Sequence, residues 1–409
     1  MDSPASPDDF VKWLLSHVTS DAPRGVDALG ASRRLFSLLA DPQDRCPSVH
    51  LVGTAGKGTV AWMISEGLVG GGHRVVSHLS PHAYDVRERF VLDGELPDWD
   101  LVMAAASEVA AASEEAATAG EQPTFFAATA AMSAVVARLV DADFLVIEAG
   151  IGGRFDATNV LSRPDVLTVV TAIGLDHTEV LGDTVEAIAI EKVAVLAGRS
   201  DVVIAPQPSV EAERAVREVA SSLGVRIHDI EAGPDVCWPL MAELTADVAL
   251  GVLSRTTGRG YAPGATRPPA RFERLAAARR DVILDGAHNP MKLDGLVEAV
   301  AAENVHPVAV VAAVGLGKDL RGCATRLAQL APHLIATTFG SAESVGPRGH
   351  PTADLASALR QAGVSRVTES LSANAAVSAA VETTTPGDTI IVTGSFLHLA
   401  EARDAFITI

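Results

Sequence analysis

The chain has 409 residues, of which 48% are hydrophobic and 20% charged. That length and composition suit two or three globular domains with buried cores and carry no signature of disorder. The formal net charge of −19 at pH 7 argues against a nucleic-acid partner, because no basic stripe is present to neutralise phosphates. An anionic substrate is still compatible with this charge if lysine, arginine and backbone N–H groups converge in one cleft.

Cellular location is the second property that the sequence bears on. Cys46, Cys237 and Cys323 are odd in number and far apart, without metal-ligand spacing, so we expect reduced thiols. The N-terminal segment MDSPASPDDF is acidic and lacks the apolar core of a signal peptide. No apolar run reaches the roughly 20 residues that span a bilayer. We therefore expect a cytoplasmic protein with no membrane partner, and separately we expect a monomer.

Short β-branched runs alternate with alanine-rich segments of helical period, which is typical of a doubly wound parallel sheet. Helices are predicted directly after Lys57, over Leu101–Ala117 and over Phe125–Leu139. The predicted strands are His50–Val52, Asp143–Glu148, Val166–Val170, Val202–Ala205, Val282–Leu284, Val308–Val314, Leu334–Thr338 and Thr389–Thr393. Residues 255–269 are rich in Gly, Pro and Arg without periodicity, which predicts an interdomain linker between domains 1–265 and 266–409.

The first segment with recognisable chemistry is Gly53–Thr59, GTAGKGT, between a predicted strand and a predicted helix. Glycines let backbone N–H groups close around phosphate oxygens, and the helix N-terminus adds its dipole. Lys57 would reach the β- and γ-phosphates, and Thr59 would offer its hydroxyl to Mg²⁺. The spacing differs from the common P-loop, because Gly58 separates Lys57 from Thr59. A glycine-rich turn without a ligand is the alternative.

The second segment is EAGIGGRFDATNV, Glu148–Val160. Glu148 ends a predicted buried strand, which is where α/β folds place their active sites. A buried carboxylate there needs a metal or a salt-bridge partner, because an unpaired one is costly. The residues alone leave both interpretations open.

The third segment is GLDHTEVLGDTVEAIAIEKVAVL, Gly174–Leu196. Asp176 and His177 follow a predicted strand, and Lys192 lies on the next helix among apolar residues. His177 is either a ligand or a structural histidine. The apolar neighbours of Lys192 predict partial burial, which lowers the pKa of a lysine.

The fourth segment is ILDGAHNP, Ile283–Pro290, at the start of the predicted second domain. Asp285, His288 and Asn289 crowd the turn after a strand, with Arg271 just upstream. A capped turn explains these residues equally well, because Asp, Asn and Pro all favour turns.

In this order and at these separations, the segments resemble the folylpolyglutamate synthase and dihydrofolate synthase family of the Mur ligase superfamily. Family members carry GTNGKGS/T, SPHL…RER, EVGLGGRxDATN, DHT…LG…EK and DGAHNP, and this chain has GTAGKGT, SPHAYDVRER, EAGIGGRFDATN, DHTEVLGDTVEAIAIEK and DGAHNP. The resemblance implies a P-loop α/β domain followed by a smaller Rossmann-like α/β domain. It also implies an ATP-dependent ligase that phosphorylates a carboxylate, dihydropteroate or a folate, and joins it to L-glutamate.

The resemblance further implies a role for each matching position. Nucleotide contacts are implied for Gly53, Thr54, Gly56, Lys57, Gly58, Thr59, Asn159, Arg271 and Asp285. Two Mg²⁺ ions are implied, with the protein ligands Thr59, Glu148, His177 and Lys192, of which Lys192 would be carbamylated by CO₂. Catalytic roles are implied for Lys57, His177, Lys192, Asp285 and His288. The loop bordering the acceptor would contain Ser80, Pro81, His82 and Arg87.

The chain also departs from the family at three places. Ala55 stands where the family has asparagine, LSPHA replaces TSPHL, and the region 205–269 is shorter and lacks the family's H-Q-x-x-N-A-A motif. Met241–Leu253 could be the residual helix of that region. These departures leave two alternatives open: a specialised paralogue that joins another carboxylic acid to an amino acid, and a nucleotide-binding partner that has lost turnover.

Overall fold

The structure, a computed structural model, describes residues 4–18, 25–231, 236–340 and 348–409. The first three residues of the acidic N-terminal segment therefore lie outside the described residues. The chain divides into two compact units. The first comprises residues 1–80, 86–234 and 240–266, and the second comprises residues 81–85, 235–239 and 267–409. The domain boundary between residues 265 and 266 stays a prediction.

The described part of the first unit contains a seven-stranded sheet in the order β3-β2-β4-β1-β5-β6-β7. Its strands are β1 Ser48–Val52, β2 Val75–His78, β3 Val91–Leu92, β4 Phe144–Glu148, β5 Leu167–Val170, β6 Asp201–Ile204 and β7 Arg226–Asp229. All neighbouring strands are parallel except β3, which is antiparallel to β2. The strands predicted for β1, β4, β5 and β6 are confirmed, because each is a short buried β-branched run.

The helices of this part of the chain are α1 Pro7–Ser16, α2 Gly25–Leu38, α3 Lys57–Gly70, α4 Trp99–Thr118, α5 Phe125–Leu139, α6 Thr178–Leu181, α7 Val185–Val193, α8 Val210–Ser222 and α9 Trp238–Thr257. α5 begins where Thr124 caps it by accepting from Ala127 N. Residues 127–137 of α5 are all buried, which its alanine-rich sequence allows because small side chains permit close packing on every face.

The described part of the second unit contains a six-stranded sheet in the order β12-β11-β10-β13-β9-β8. Its strands are β8 Glu273–Ala277, β9 Arg280–Leu284, β10 Pro307–Ala312, β11 His333–Ala336, β12 Arg366–Glu369 and β13 Thr389–Thr393. Its helices are α10 Pro290–Ala302, α11 Leu320–Leu327, α12 Thr352–Gln361, α13 Ala373–Glu382 and α14 Leu399–Thr408. Only β8 runs antiparallel to its neighbour in this sheet. None of the helices described in either unit has the length and apolar character needed to cross a membrane.

Residues 255–269, which were predicted as a linker, are partly helical and partly held by hydrogen bonds to the first unit. Its first three residues end α9, which also contains the predicted helix Met241–Leu253. Tyr261 Oη lies 2.8 Å from His73 Nε2, and Gly264 N donates to Met63 O at 2.9 Å. Residues 261–264 therefore pack on or next to α3 instead of forming a free connection.

Parallel pairing sets the position of the site in the first unit. Leu51 pairs with Glu148, and Val52 pairs with Val170. The segments that follow β1, β4 and β5 therefore begin at the same edge of the sheet, where parallel α/β sheets bind ligands.

Candidate functional site

The phosphate-loop candidate, residues 53–59, leaves β1 at this edge and enters α3. Gly56 precedes the helix with φ 87°, and Gly53 has φ 150°, where an added Cβ would overlap Thr171 Oγ1. The first helical bond runs from Val60 N to Gly56 O at 3.0 Å. The N–H groups of residues 57–59 thus precede the helical ladder and, with the helix dipole, favour an anion.

The conformation of this loop is held by the segment that follows β5. Thr54 N and Ala55 N both donate to Ala172 O, at 2.8 and 3.1 Å. Thr54 Oγ1 donates to Gly174 O at 3.1 Å, and Ala55 and Ala172 form an isolated antiparallel bridge. Backbone contacts therefore support the loop at the position where Ala55 has no polar side chain.

Two lysines contact the first residue of the loop, and one of them lies beside a buried glutamate. Lys57 Nζ donates to Gly53 O at 3.1 Å and lies 3.7 Å from Glu148 Oε1. Lys192 Nζ donates to the same carbonyl oxygen at 2.9 Å, and Glu148 Oε2 accepts from Ser80 N at 2.9 Å. Glu148 and Lys192 are 4% and 3% exposed. Such burial places these charges in a low-dielectric setting where opposite charges compensate each other strongly.

The oxygen donors at this edge fit Mg²⁺. Glu148 offers a carboxylate at the end of β4, and Thr59 offers a hydroxyl in the first turn of α3. No group of three or more His, Cys, Asp and Glu side chains suited to a metal is found among the described residues. Mg²⁺ commonly takes one or two carboxylates and completes its shell with phosphate oxygens and water. The donor set therefore fits an ion that arrives with a nucleotide.

His177 lies on the segment that follows β5, and Asn159 lies on the segment that follows β4. His177 precedes α6 with φ 51°, and its ring nitrogens lie 3.9 Å from Asp176 Oδ2 and 3.7 Å from Glu179 Oε1. Asn159 Nδ2 donates to Arg154 O at 2.9 Å, so that its side chain holds its own loop. A metal role for His177 and a nucleotide role for Asn159 stay predictions.

The predicted acceptor-loop residues are distributed over both units. Ser80 belongs to the first unit and lies against Glu148, whereas exposed Pro81 and half-buried His82 belong to the second. The guanidinium of Arg87 lies 4.8 Å from the centre of the Trp99 ring and donates to Pro97 O at 3.3 Å.

A second arginine, Arg89, was not predicted as a site residue. It is 7% exposed, and its guanidinium lies 4.9 Å from the centre of the Phe125 ring. Burial lowers the pKa of Arg89 to about 10, and the negative charge of Glu148 opposes that shift. Arg89 is thus a cation at neutral pH that interacts with Glu148. The signal in the sequence that could have identified Arg89 is its position directly before the apolar residues Phe90 and Val91.

Phe126 adds a second ring to this neighbourhood. Its ring lies so close to Gly150 that an added Cβ would come within 2.8 Å of it, and its centre is 5.2 Å from that of His78. Burial lowers the pKa of His78 to about 3, so this histidine is neutral. Phe125 and Phe126 together offer half-buried aromatic surface beside Arg89.

In the second unit, Asp285 follows β9 and closes a turn. Its Oδ2 accepts from Phe272 N and its Oδ1 from Ala287 N, both at 2.8 Å. Burial raises the pKa of Asp285 to about 6, against these two bonds and the positive charges of Arg271 and Arg267. The carboxylate is mostly ionised at pH 7 and is already oriented by the backbone.

His288 and Arg271 lie near the same turn. His288 Nδ1 lies 2.8 Å from Gly286 O and must donate to it, which leaves Nε2 to accept from Lys292 Nζ at 3.0 Å. The guanidinium of Arg271 lies 5.0 Å from the centre of the Phe396 ring. Arg271, Asp285 and His288 thus form a second polar group, built within the second unit.

Comparison with known proteins links both groups to one family. Residues 270–396 match the family model described as Mur ligase, glutamate ligase domain. The chain is 28% identical over 435 residues to the dihydrofolate synthase/folylpolyglutamate synthase of Escherichia coli, covering 98% of this chain and 97% of that protein. A probable bifunctional folylpolyglutamate synthase/dihydropteroate synthase of Halobacterium salinarum is 30% identical over 403 residues, which is 90% of this chain and 48% of that protein. The chain therefore spans about half the length of this archaeal relative.

Solved structures support the fold. The E. coli FolC in complex with DHPP and ADP matches with a TM-score of 0.83 at 23% identity, covering 99% of this chain and 98% of that one. The folylpolyglutamate synthase of Mycobacterium tuberculosis complexed with ADP matches with a TM-score of 0.82 at 24% identity, covering 97% and 99%. These likenesses confirm the predicted fold, a P-loop α/β unit followed by a smaller α/β unit.

Proposed function

Because the chain belongs to the Mur ligase superfamily, we propose that it is an ATP-dependent ligase that joins L-glutamate to dihydropteroate or a folate. The observation that carries this proposal is that Lys57 and Lys192 both donate to Gly53 O at the start of the phosphate loop, with Glu148 beside Lys57. Ligases of this kind mainly need to hold two anions together and stabilise charge on the transferred phosphoryl group. A lysine at a helix N-terminus beside a buried carboxylate suits that task.

In the proposed reaction, an oxygen of the acceptor carboxylate forms a bond to the γ-phosphorus of ATP. The bond from that phosphorus to the bridging oxygen breaks, and ADP leaves. The amino nitrogen of glutamate then attacks the acyl carbon, loses a proton and expels phosphate, which leaves an amide. Lys57 would exchange its contact with Gly53 O for the β- and γ-phosphates, and Arg89 would offset the charge of the acceptor.

We propose that Thr59 and Glu148 hold one Mg²⁺ and that His177 and a carbamate on Lys192 hold a second. The ions would neutralise phosphate charge during transfer. A carbamate forms when the unprotonated amine of Lys192 adds to CO₂ and releases a proton. The N–H that remains can still donate to Gly53 O, so the observed contact is compatible with the modification.

For the remaining predicted residues we propose contacts at the ends of the substrates. Asn159, Arg271 and Asp285 would bind the nucleotide, and His288 would face its phosphates. Ser80, Pro81, His82 and Arg87 would border the acceptor. The aromatic pair Phe125 and Phe126 has the flat apolar surface on which a pterin or another aromatic acid could stack.

The test of the function is ADP release with dihydropteroate, dihydrofolate and tetrahydrofolate as acceptors, each with L-glutamate, together with mass spectrometry for one added glutamate. Lys57→Ala is the inactive control. Turnover with another carboxylic acid and with no pterin would refute the folate part and favour the specialised paralogue. ATP binding without ADP release across a broad acid and amine panel would favour the non-catalytic partner.

The cellular part of the proposal is a cytoplasmic monomer that has only small-molecule partners. The net charge of −19 supports the lack of a nucleic-acid partner. Sedimentation velocity at micromolar concentration checks the oligomeric state, and a dimer there would contradict the monomer.

A further inference from the structure

Gln207 lies beyond the end of β6, between Pro206 and Pro208. Each proline disfavours the helical region for the residue before it, so Ala205 and Gln207 are both biased toward extended backbone. Gln207 N donates to Glu213 Oε2 at 3.3 Å, and Ser209 caps α8 directly afterwards. The backbone around Gln207 is therefore restricted before its side chain makes any contact.

The side-chain carboxamide of Gln207 is fully engaged with two loops. Its Oε1 accepts from Ile173 N at 3.0 Å, and its Nε2 donates to Thr171 O at 3.3 Å and to Ala205 O at 2.7 Å. A residue in a parallel strand donates to the residue before its partner and accepts from the residue after it. The carboxamide donates to Thr171 O and accepts from Ile173 N, the residues before and after Ala172. It therefore takes the place of one further residue of β6 paired with the continuation of β5.

The other side of Ala172 carries the phosphate loop. Its carbonyl oxygen accepts from Thr54 N and Ala55 N, and Ala55 forms the antiparallel bridge with it. Ala172 is thus held on one side by Gln207 and bears the loop on the other. Ala55 has no polar side chain to hold the loop, so the position of this carbonyl oxygen helps to set the conformation of the phosphate loop at Thr54 and Ala55.

We infer that Gln207 is a positioning residue for nucleotide binding, acting through Ala172 on the phosphate loop. Without the carboxamide, Thr171 O and Ile173 N lose their partner, and the segment 171–173 becomes free to shift. The N–H groups at the start of α3 would then be less well placed for phosphate oxygens. The nucleotide part of this inference rests on the proposed function.

The experiment compares wild type with Gln207→Leu and Gln207→Glu. Leucine removes all three bonds at similar volume, and glutamate can accept from Ile173 N but cannot donate to Thr171 O or Ala205 O. We expect the Kd for MgADP, measured by calorimetry, and the KM for ATP to rise about tenfold in both, which corresponds to about 1.4 kcal/mol. The KM values for glutamate and acceptor should stay within about twofold, because those substrates do not bind the loop.

Gln43→Leu is the matched control. Gln43 is 2% exposed and lies before β1, and its Nε2 donates to Asp41 Oδ1, Asp44 Oδ2 and Val160 O, none of which belongs to the phosphate loop. Its loss should lower the melting temperature at least as much as the loss of Gln207 does. The Kd for MgADP should remain within about twofold of wild type, because the hydrogen bonds of the Gln43 side chain go to residues outside the phosphate loop.

Amide hydrogen exchange in the nucleotide-free protein separates this inference from the proposed function. We expect the Thr54 and Ala55 amides to exchange at least about fivefold faster in Gln207→Leu than in Gln43→Leu. Without the carboxamide hydrogen bonds, local opening of this segment costs less free energy. Unchanged exchange at both amides would overturn the positioning role, whether or not nucleotide binds. If the two amides exchange faster in Gln207→Leu but the wild-type protein itself binds no MgADP, the proposed function is rejected and the positioning role is kept.

Discussion

Removing the charge of Glu148 should destabilise the first unit more than removing the charge of Lys57. Opposite unit charges about 4 Å apart attract by about 4 kcal/mol at an effective dielectric constant of about 20, and Lys57 Nζ lies 3.7 Å from Glu148 Oε1. Glu148 also interacts with buried Arg89. Glu148→Gln therefore leaves half-buried Lys57 and buried Arg89 without their carboxylate, whereas Lys57→Met leaves Glu148 with Arg89.

From these contacts we expect Glu148→Gln to cost about 3 kcal/mol of the free energy of unfolding, which is typical of breaking one side of a buried ion pair. Glutamine keeps the length of the side chain and can still accept from Ser80 N, so the cost reports the charge. Lys57→Met should cost about 1 to 2 kcal/mol. The double variant should cost less than the sum by at least about 1 kcal/mol, because the two side chains interact directly.

Urea unfolding followed by tryptophan fluorescence measures these differences. Trp13, Trp62 and Trp99 lie in the first unit, so the signal reports mainly on that unit. The slope with urea should stay unchanged if only stability has changed. Additive effects of the two substitutions, or a larger cost for Lys57→Met than for Glu148→Gln, would refute the reasoning.

Three further predictions concern the rest of the site. Lys192→Ala should lose activity by at least about a hundredfold and regain part of it with added acetate or another small carboxylate in a steady-state assay; wild-type activity would contradict the carbamate. Burial raises the pKa of Asp285 from 3.8 to about 6, so the proton it binds stabilises the fold below about pH 4, and this contribution is lost as the pH rises to about 6. The unfolding free energy of wild type minus that of Asp285→Asn should therefore decrease as the pH rises from about 4 to about 6. An increase over that pH range, measured by urea titration, would refute this prediction. Gly53→Ala should cost about 2 to 4 kcal/mol, because Cβ overlaps Thr171 and φ is unfavourable; Gly70→Ala, with nothing within 4 Å of its Cβ, should leave the melting temperature unchanged or slightly higher.

The central strands were predictable from sequence, but four of the five strands missed were edge strands. β3, β7, β8 and β12 lie at the ends of the two sheets. β7 and β12 have exposed or half-exposed side chains at every position, so neither has the continuous apolar run that marks a buried strand. The fifth, β2, is buried but only four residues long and ends in serine and histidine. The linker prediction missed the anchoring of Tyr261 and Gly264, because contacts with α3 leave no periodic pattern.

The sequence by itself determined the alternation of strands and helices, the strand-end positions of Glu148 and Asp285, and the glycine-rich loop before α3. Each depends on local pattern, because short apolar runs, turn residues and their spacing are properties of neighbouring residues. Only the tertiary structure decided which side chains meet. Lys192 reaches the carbonyl oxygen of Gly53 across 139 residues of sequence, where Lys57 also donates. Arg89 interacts with Glu148, and the carboxamide of Gln207 bonds to the segment that supports the phosphate loop. Those choices follow from strand order and register, which bring distant segments to one edge and which no local pattern records.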